Sequence, residues 1–456
     1  MINRRFALVA LLLLLFVWSI KLLPLQDYSN SAWRTAKQSL STSGGFAGSR
    51  SGHAPSADFF EQVFSVGSPA PYEYAALSEA CAAADWEADE AYLNCVGILA
   101  GMTSIVSQVK VCLKMAVETG SHLVLPRMPL RSSSDLLDFN FFNEDAYMPY
   151  DRWFDADHLR AQLARACPRM RVVHPDELDS PAVPVARRLQ VLCSDAVGYN
   201  KLHSYFWVGR PFRSFFVEQY RQKVAAMALN EVPQNTTGIT VVDIDSEFMV
   251  FRITDDPTGR DLRLWTDLSH LVRYRQDVRD IVDRLVSRLP PPGAYYGVHY
   301  RAENDSIWSS AEHQLAVDLD ALDRAWARFG NGDNASRPLV YLACGDALQV
   351  ERFVAAAAER GWPVTHKWRL ARQDGDETTA SLIDALAFDF QGAIDMGVMV
   401  RSGFFIGIQG SAFSSTLANQ RDITGRYRGS SLDVPDDGAR SHLFNDLDAN
   451  EYACCL

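Results

Sequence analysis

The feature that most constrains this chain is the alternation, through its C-terminal half, of short apolar runs with helix-length amphipathic stretches. Apolar runs at 294–300, 338–344 and 404–408, with a shorter one from Val364 to Lys367, are separated by helical periodicity. The helical stretches run from about His313 to Phe329, from Ala347 to Arg360, and from Thr379 to Arg401 with a break near Gly392. Consecutive apolar positions mark strands buried on both faces, and strands joined through helices run parallel. The N-terminal half begins the same way. Tyr92 to Leu99 reads as a strand and Ala100–Ser104 as a turn. A helix follows, with Ile105, Val109, Cys112, Ala116 and Val117 on one face and Gly120 as its stop, then a strand within Ser121–Pro126. Arg171–His174, Leu189–Leu192 and Gly238–Val242 are further strand candidates, and Asp267 to Leu289 reads as one helix. The pattern predicts an α/β protein of two Rossmann-like, doubly wound domains, 72–270 and 271–456, facing a cleft.

Chemistry collects where the strands end. The 294–300 run empties into His299, Arg301, Glu303 and Asp305, and ligands of open α/β sheets sit beyond the carboxyl ends of strands. Arg301 supplies a planar, permanently charged fork suited to phosphate oxygens, with His299 beside it. Two further strand ends converge there: Cys344-Gly-Asp346, and Phe405 to Ser414, where Ser411 and Ser414 stand at a helix start suited to phosphate. Phe413 could pack on a base or sugar. Lys367, also at a strand end, joins this group on charge grounds. The alternative makes these charges solvated or mutually paired, Ser411 an N-cap and Phe413 a core residue. In the other half, the helix opening at Gly101, Met102, Thr103 and Ser104 could present N–H groups to an acceptor or a phosphate, with plain helix capping as the alternative.

The rest of the chain sets the compartment. Residues 1–5 form a short basic tail and 6–25 an apolar run with few polar side chains. About 20 helical residues span a bilayer core of about 30 Å. Arg4 and Arg5 predict a cytosolic N-terminus by the positive-inside rule, hence a single-pass type II anchor with the remainder lumenal; a cleavable signal peptide leads to the same compartment. Residues 26–71 read as a Ser-, Gly- and Ala-rich stem. The eight cysteines show no metal-type spacing, so disulfides are expected, with Cys81–Cys95 and a partner for Cys454 or Cys455 as candidates. Sequons at Asn235, Asn304 and Asn334 agree with glycosylation in a lumen. A formal charge of −12 argues against nucleic acid as a partner.

Asp395, then Phe405-Ile-Gly ten residues later, Ser411-Ala-Phe-Ser414 and Arg421-Asp422 resemble the C-terminal signature of the protein O-fucosyltransferases. Val298-His-Tyr-Arg301 resembles that family's second motif, and Leu123-Val-Leu-Pro126 its N-terminal one. The resemblance implies the two-Rossmann GT-B architecture and an inverting transfer from GDP-fucose or another GDP-sugar, without metal or other cofactor. The acceptor would be a protein or glycan hydroxyl, and the setting the Golgi or endoplasmic reticulum membrane. Asp243-Ile-Asp245 is then incidental. Arg301 carries over as the residue neutralising the departing β-phosphate. His299, Asp395, Ser411, Phe413 and Ser414 carry over as donor-site contacts, and Ala412 stands where the family has serine. The family's Gly-x-x-Asn loop is replaced by Gly101-Met-Thr-Ser, so its usual polar residue near the acceptor is missing. An inert lumenal protein that keeps the fold is the alternative this departure leaves open.

Overall fold

The computed structural model describes residues 55–86, 91–132, 135–140, 142–180, 183–192, 212–230, 238–245, 260–306, 309–330, 336–422 and 439–444. The expected anchor, most of the stem, Cys193, Cys454, Cys455, Asn235 and Asn334 lie outside these residues. Among the described residues no helix is long and apolar enough to cross a membrane.

The first half contains α1 (Pro55–Phe64), α2 (Ala75–Ala83), β1 (Ala91–Val96), α3 (Met102–Thr119), β2 (His122–Val124) and the hairpin β3 (Arg127–Pro129) and β4 (Tyr147–Pro149). It continues through α4 (Ala156–Ala166), β5 (Val172–Val173), β6 (Val185–Leu192), α5 (Phe212–Asn230), β7 (Ile239–Asp245) and α6 (Arg260–Leu271). The second half contains α7 (Gln276–Val286), β8 (Tyr296–His299), α8 (Ala311–Phe329), β9 (Val340–Ala343), α9 (Ala347–Glu359) and β10 (Val364–Thr365). It closes with α10 (Lys367–Ala371), α11 (Glu377–Asp384), α12 (Phe388–Met399), β11 (Phe404–Ile408), α13 (Ala412–Arg421) and β12 (Ser441–Phe444). Two parallel five-stranded sheets result, in the orders β5-β2-β1-β7-β6 and β10-β9-β8-β11-β12. The central strands β8, β9 and β11 are buried at every position, as their uninterrupted apolar sequences require.

One core runs through both halves, joining Leu93 of β1 and the apolar residues of α3 to Tyr341 of β9, Phe405 of β11 and the inner face of α12. Helix α3 is buried on almost every side, so it reads as an internal element rather than an amphipathic one. Even its lysines are inside: Lys110 donates to Ser269 at 2.8 Å and lies over the Trp265 ring, and Lys114 pairs with Glu118. Smaller clusters cover the outer faces of the two sheets.

Four expectations need correction. The stem ends earlier than residue 71, because α1 buries Phe59, Val63 and Phe64. The buried Arg273 holds the chain that follows, donating to the carbonyls of Gln62 (3.0 Å), Ser65 (2.6 Å) and Gly67 (2.6 Å). The single helix expected over 267–289 is two, since Arg273 and Tyr274 leave the helical path to bond this segment. The break in the 379–401 stretch falls at extended Ala387, before α12, and Gly392 lies within that helix. Among the described residues the disulfides are Cys81–Cys167 and Cys95–Cys112, not Cys81–Cys95. Cys95 on β1 meets the helix that packs over its own strand, whereas Cys81 on α2 meets the end of α4, with Cα separations of 6.1 and 5.5 Å.

Candidate functional site

A cavity of about 300 Å³ lies where the carboxyl end of the second sheet faces the start of α3. It is lined by Gly101, Met102, Thr103 and Ser104 from the first half, and by His299, Arg301, Lys367, Asp395, Ser411, Ala412 and Phe413 from the second. The structure therefore brings together the separate stretches that the sequence singled out, except for Ser414 and Asp346. Ser414 is wholly buried behind the wall. Its hydroxyl accepts from the Ile408 N–H (3.2 Å) and bonds His299 Nδ1 at 2.7 Å, so it acts on the cavity only through the imidazole. Gly407 permits this arrangement, since a Cβ there would stand 2.5 Å from the Ser414 hydroxyl.

His299, the last residue of β8, is 5% exposed and packs 4.4 Å from the Phe413 ring. Burial, helped by the Arg301 and Lys367 charges, pushes its pKa down to about 3. It is neutral at ordinary pH and serves as a hydrogen-bonding wall rather than a cation. Ser411 precedes α13 in extended conformation without a side-chain cap bond, so its hydroxyl and the first N–H groups of the helix stand at the cavity edge.

Arg301 leaves the strand with its backbone clamped. The buried Gln314 side chain accepts from the Arg301 N–H (3.0 Å) and donates to its carbonyl (2.7 Å). Its guanidinium meets Glu303 at 2.5 Å and Asp305 at 2.7 Å. Glu303 also accepts from the Gly345 N–H at 2.6 Å. Burial opposes ionisation of both carboxyls, but the Arg301 charge outweighs it and holds both below their ordinary range. Lys367 and Asp395 form a second buried pair at 2.6 Å, and Asp395 accepts from Tyr341 at 2.7 Å. Both Asp395 oxygens thus already carry a partner, and burial pushes its carboxyl up from the usual range. Asp346 does not join the cavity lining: it caps α9 by accepting from the Gln349 N–H.

The start of α3 is occupied from across the cavity. Asp389, near the start of α12, accepts from the Met102 N–H at 3.2 Å, a carboxylate where the helix dipole favours one. Asp389 also binds Arg131, through Nε at 3.1 Å and Nη2 at 2.8 Å, and Arg131 Nη1 lies 3.4 Å from Asp305. Gly101 makes room for this guanidinium, since a Cβ there would lie 3.0 Å from Arg131 Nη2. Arg131, Asp389 and Gln314 were not singled out in the sequence. Arg131 follows a three-residue strand with no motif around it, and Asp389 lies within a stretch read only for its apolar period. The carboxyl-terminal Arg421 of the signature is likewise structural, donating to Ser441 Oγ (2.9 Å) and the Val400 carbonyl (3.2 Å). Asp243 is spent on Arg188 (2.6 Å) and Asn94 (2.6 Å). Among the described residues no cluster of three or more metal-type side chains occurs. Exposed Asn304 sits in the turn between Glu303 and Asp305.

A profile of the GDP-fucose protein O-fucosyltransferase family matches residues 92–424. The chain belongs to this family and is a glycosyltransferase. A search of curated proteins gives no match. Among solved structures, POFUT1 in complex with GDP-fucose is 13% identical with a TM-score of 0.42, covering 80% of this chain and 100% of that one. POFUT1 in complex with GDP is 12% identical with a TM-score of 0.41 over the same shares. The fucosyltransferase NodZ from Bradyrhizobium is 15% identical with a TM-score of 0.37, covering 71% of this chain and 91% of that one. Two parallel sheets facing one cavity agree with the α/β, GT-B-like architecture expected from the motifs.

Proposed function

We propose that this protein transfers fucose from GDP-fucose, with inversion and without a metal ion, to a hydroxyl of a protein or glycan in the secretory pathway. The observation that carries the reading is Arg301, held rigidly at a strand end in a cavity lined by neutral His299, Ser411 and the start of α13. When the bond between fucose C1 and the β-phosphate oxygen breaks, its electron pair stays on that oxygen. The leaving diphosphate therefore gains negative charge as the acceptor oxygen bonds C1 and sheds its proton to water. A preorganised guanidinium stabilises that charge without reorganising. Ser411 and the N–H groups of Ala412 and Phe413 suit the remaining phosphate oxygens. Lys367, Asp395 and Phe413 suit the nucleoside, and the Gly101–Ser104 turn the acceptor side.

Two disulfides support an oxidising compartment. We place the protein as a type II membrane protein of the Golgi or endoplasmic reticulum, anchored by residues 6–25, and keep 72–270 and 271–456 as acceptor-side and donor-side domains. One observation favours a second reading, an inert protein that retains the nucleotide site: residues 100–104 carry no side chain suited to act as a base. Release of GDP from GDP-fucose in EDTA, with and without glycoprotein acceptors, separates the two. Turnover above that of the Arg301→Ala variant is expected, whereas GDP binding with no turnover under any acceptor would favour the inert reading.

A further inference from the structure

The charges at the cavity form one chain: Glu303, Arg301, Asp305, Arg131, Asp389 and the start of α3. Its two arginines are held alike. Each has an anchoring carboxylate of its own, Glu303 for Arg301 (2.5 Å) and Asp389 for Arg131 (2.8 Å), and both share Asp305. The anchors are well bonded: Glu303 also takes the Gly345 N–H, and Asp389 also takes the Met102 N–H.

Asp305 is held differently. Its Oδ1 lies 2.7 Å from Arg301 Nη2 yet makes no aligned hydrogen bond although buried, and its Oδ2 is 3.4 Å from Arg131. It sits in a turn between exposed Asn304 and Ser306, whose hydroxyl is also buried without a hydrogen-bond partner. A carboxylate with one oxygen held by charge alone and the other by a single long hydrogen bond from Arg131, between two guanidinium groups that are fixed from behind, marks a place for an anionic oxygen.

We propose that this place belongs to the departing diphosphate. Arg131, from the first half of the chain, then acts with Arg301 as a second leaving-group cation, and Asp305 is an internal stand-in that the donor displaces. This rests on the donor reading given above. It assigns a role in transfer to a residue outside the family signature, and it gives the first half a direct hand in the departure of GDP. In the transfer step the acceptor hydroxyl oxygen bonds C1 and gives its proton to water as the C1–O bond breaks onto the phosphate oxygen, and both guanidinium groups meet the charge that appears there.

The test compares GDP affinity and GDP-fucose turnover, with water or a glycoprotein as acceptor, for the full-length protein and its Asp305→Asn, Arg131→Gln and Arg131→Lys variants. Removing the competing charge makes Asp305→Asn bind GDP about fivefold more tightly. Arg131→Gln lowers turnover on the order of 100-fold with a smaller effect on GDP affinity, and Arg131→Lys recovers part of it. Equal or weaker GDP binding by a folded Asp305→Asn protein would overturn the proposal, because a merely structural carboxylate leaves affinity unchanged or lowers it. So would a folded Arg131→Gln protein with wild-type turnover. A wild-type protein that neither binds GDP nor turns over GDP-fucose would bring down the donor reading itself, and this inference with it.

Discussion

The two walls of the cavity are built on opposite principles. The wall from the second sheet is dense with chemistry: neutral His299, the Arg301–Glu303 pair and the Lys367–Asp395 pair, all fixed by buried partners such as Ser414, Gln314 and Tyr341. The wall from the first half is a helix start, Gly101 to Ser104, with Arg131 as its one described charge, and that charge is held by Asp389 from the second half. A donor with a diphosphate needs fixed charge in a fixed place, and fixed charge inside a protein needs partners on every side. A hydroxyl acceptor needs access and a shape. On the proposed reading, this chain invests its preorganisation in the leaving group, and the acceptor side is defined largely by backbone and packing.

The largest expected effect breaks that contrast at its stronger end. Arg301→Ala should lower GDP-fucose turnover on the order of 1000-fold. It should also destabilise the fold by about 3 kcal/mol, because Glu303 is left buried without its counter-charge. Steady-state assay and denaturant titration check the two parts. Thr103→Ala and Ser104→Ala, on the weaker wall, should change turnover by less than about tenfold. A loss as deep as that of Arg301→Ala would show that the helix start does chemistry after all.

Next in size come the two crosslinks among the described residues, both in the first half. Opening Cys81–Cys167, which spans 86 positions, should cost about 4–5 kcal/mol, and opening Cys95–Cys112, which spans 17, about 3 kcal/mol. Double Cys→Ser variants compared by denaturant titration would test the order. Phe64→Ala should cost about 3 kcal/mol. Its ring stacks on Tyr274 and lies where a Cβ on Gly397 of α12 would go, so it ties α1 to α12.

The smallest effect separates the regions by pH. His299 in the second half and His270 in the first have pKa values pushed down to about 3 and about 4, chiefly by burial. An unfolded histidine binds its proton near pH 6.5, whereas these bind theirs only well below it. Stability should therefore be fully present above about pH 6.5 and fall as the pH drops toward 4. His299→Gln and His270→Gln should each flatten that fall, measured as denaturation midpoints at pH 7 and pH 4.5. An unchanged slope in both would mean that neither histidine is held neutral.

What was legible in the sequence divides along the same line. The central strands of the second sheet announced themselves, because a strand buried on both faces cannot hide its composition, and the site residues at their ends followed from topology alone. The partners that hold those residues were not legible. Gln314 lies one helix away from Arg301, Asp389 and Arg131 meet across the two halves, and none has a local pattern that tells of the contact. Ser414 was placed in the cavity by its motif, but the first turn of α13 carries it behind His299. The disulfide pairing failed for a related reason: Cys81 and Cys95 are close in sequence, while partner choice was decided by which helix packs on β1. The beginning of α1 was masked by its Ser- and Ala-rich surroundings, although Phe59, Val63 and Phe64 are spaced as a helix face.

The most direct measurement is calorimetric titration of the full-length protein with GDP, UDP and ADP in EDTA. The account predicts that GDP binds alone, and that Arg301→Ala abolishes the heat. A folded protein that binds none of the three, or binds UDP or ADP as well as GDP, would contradict it.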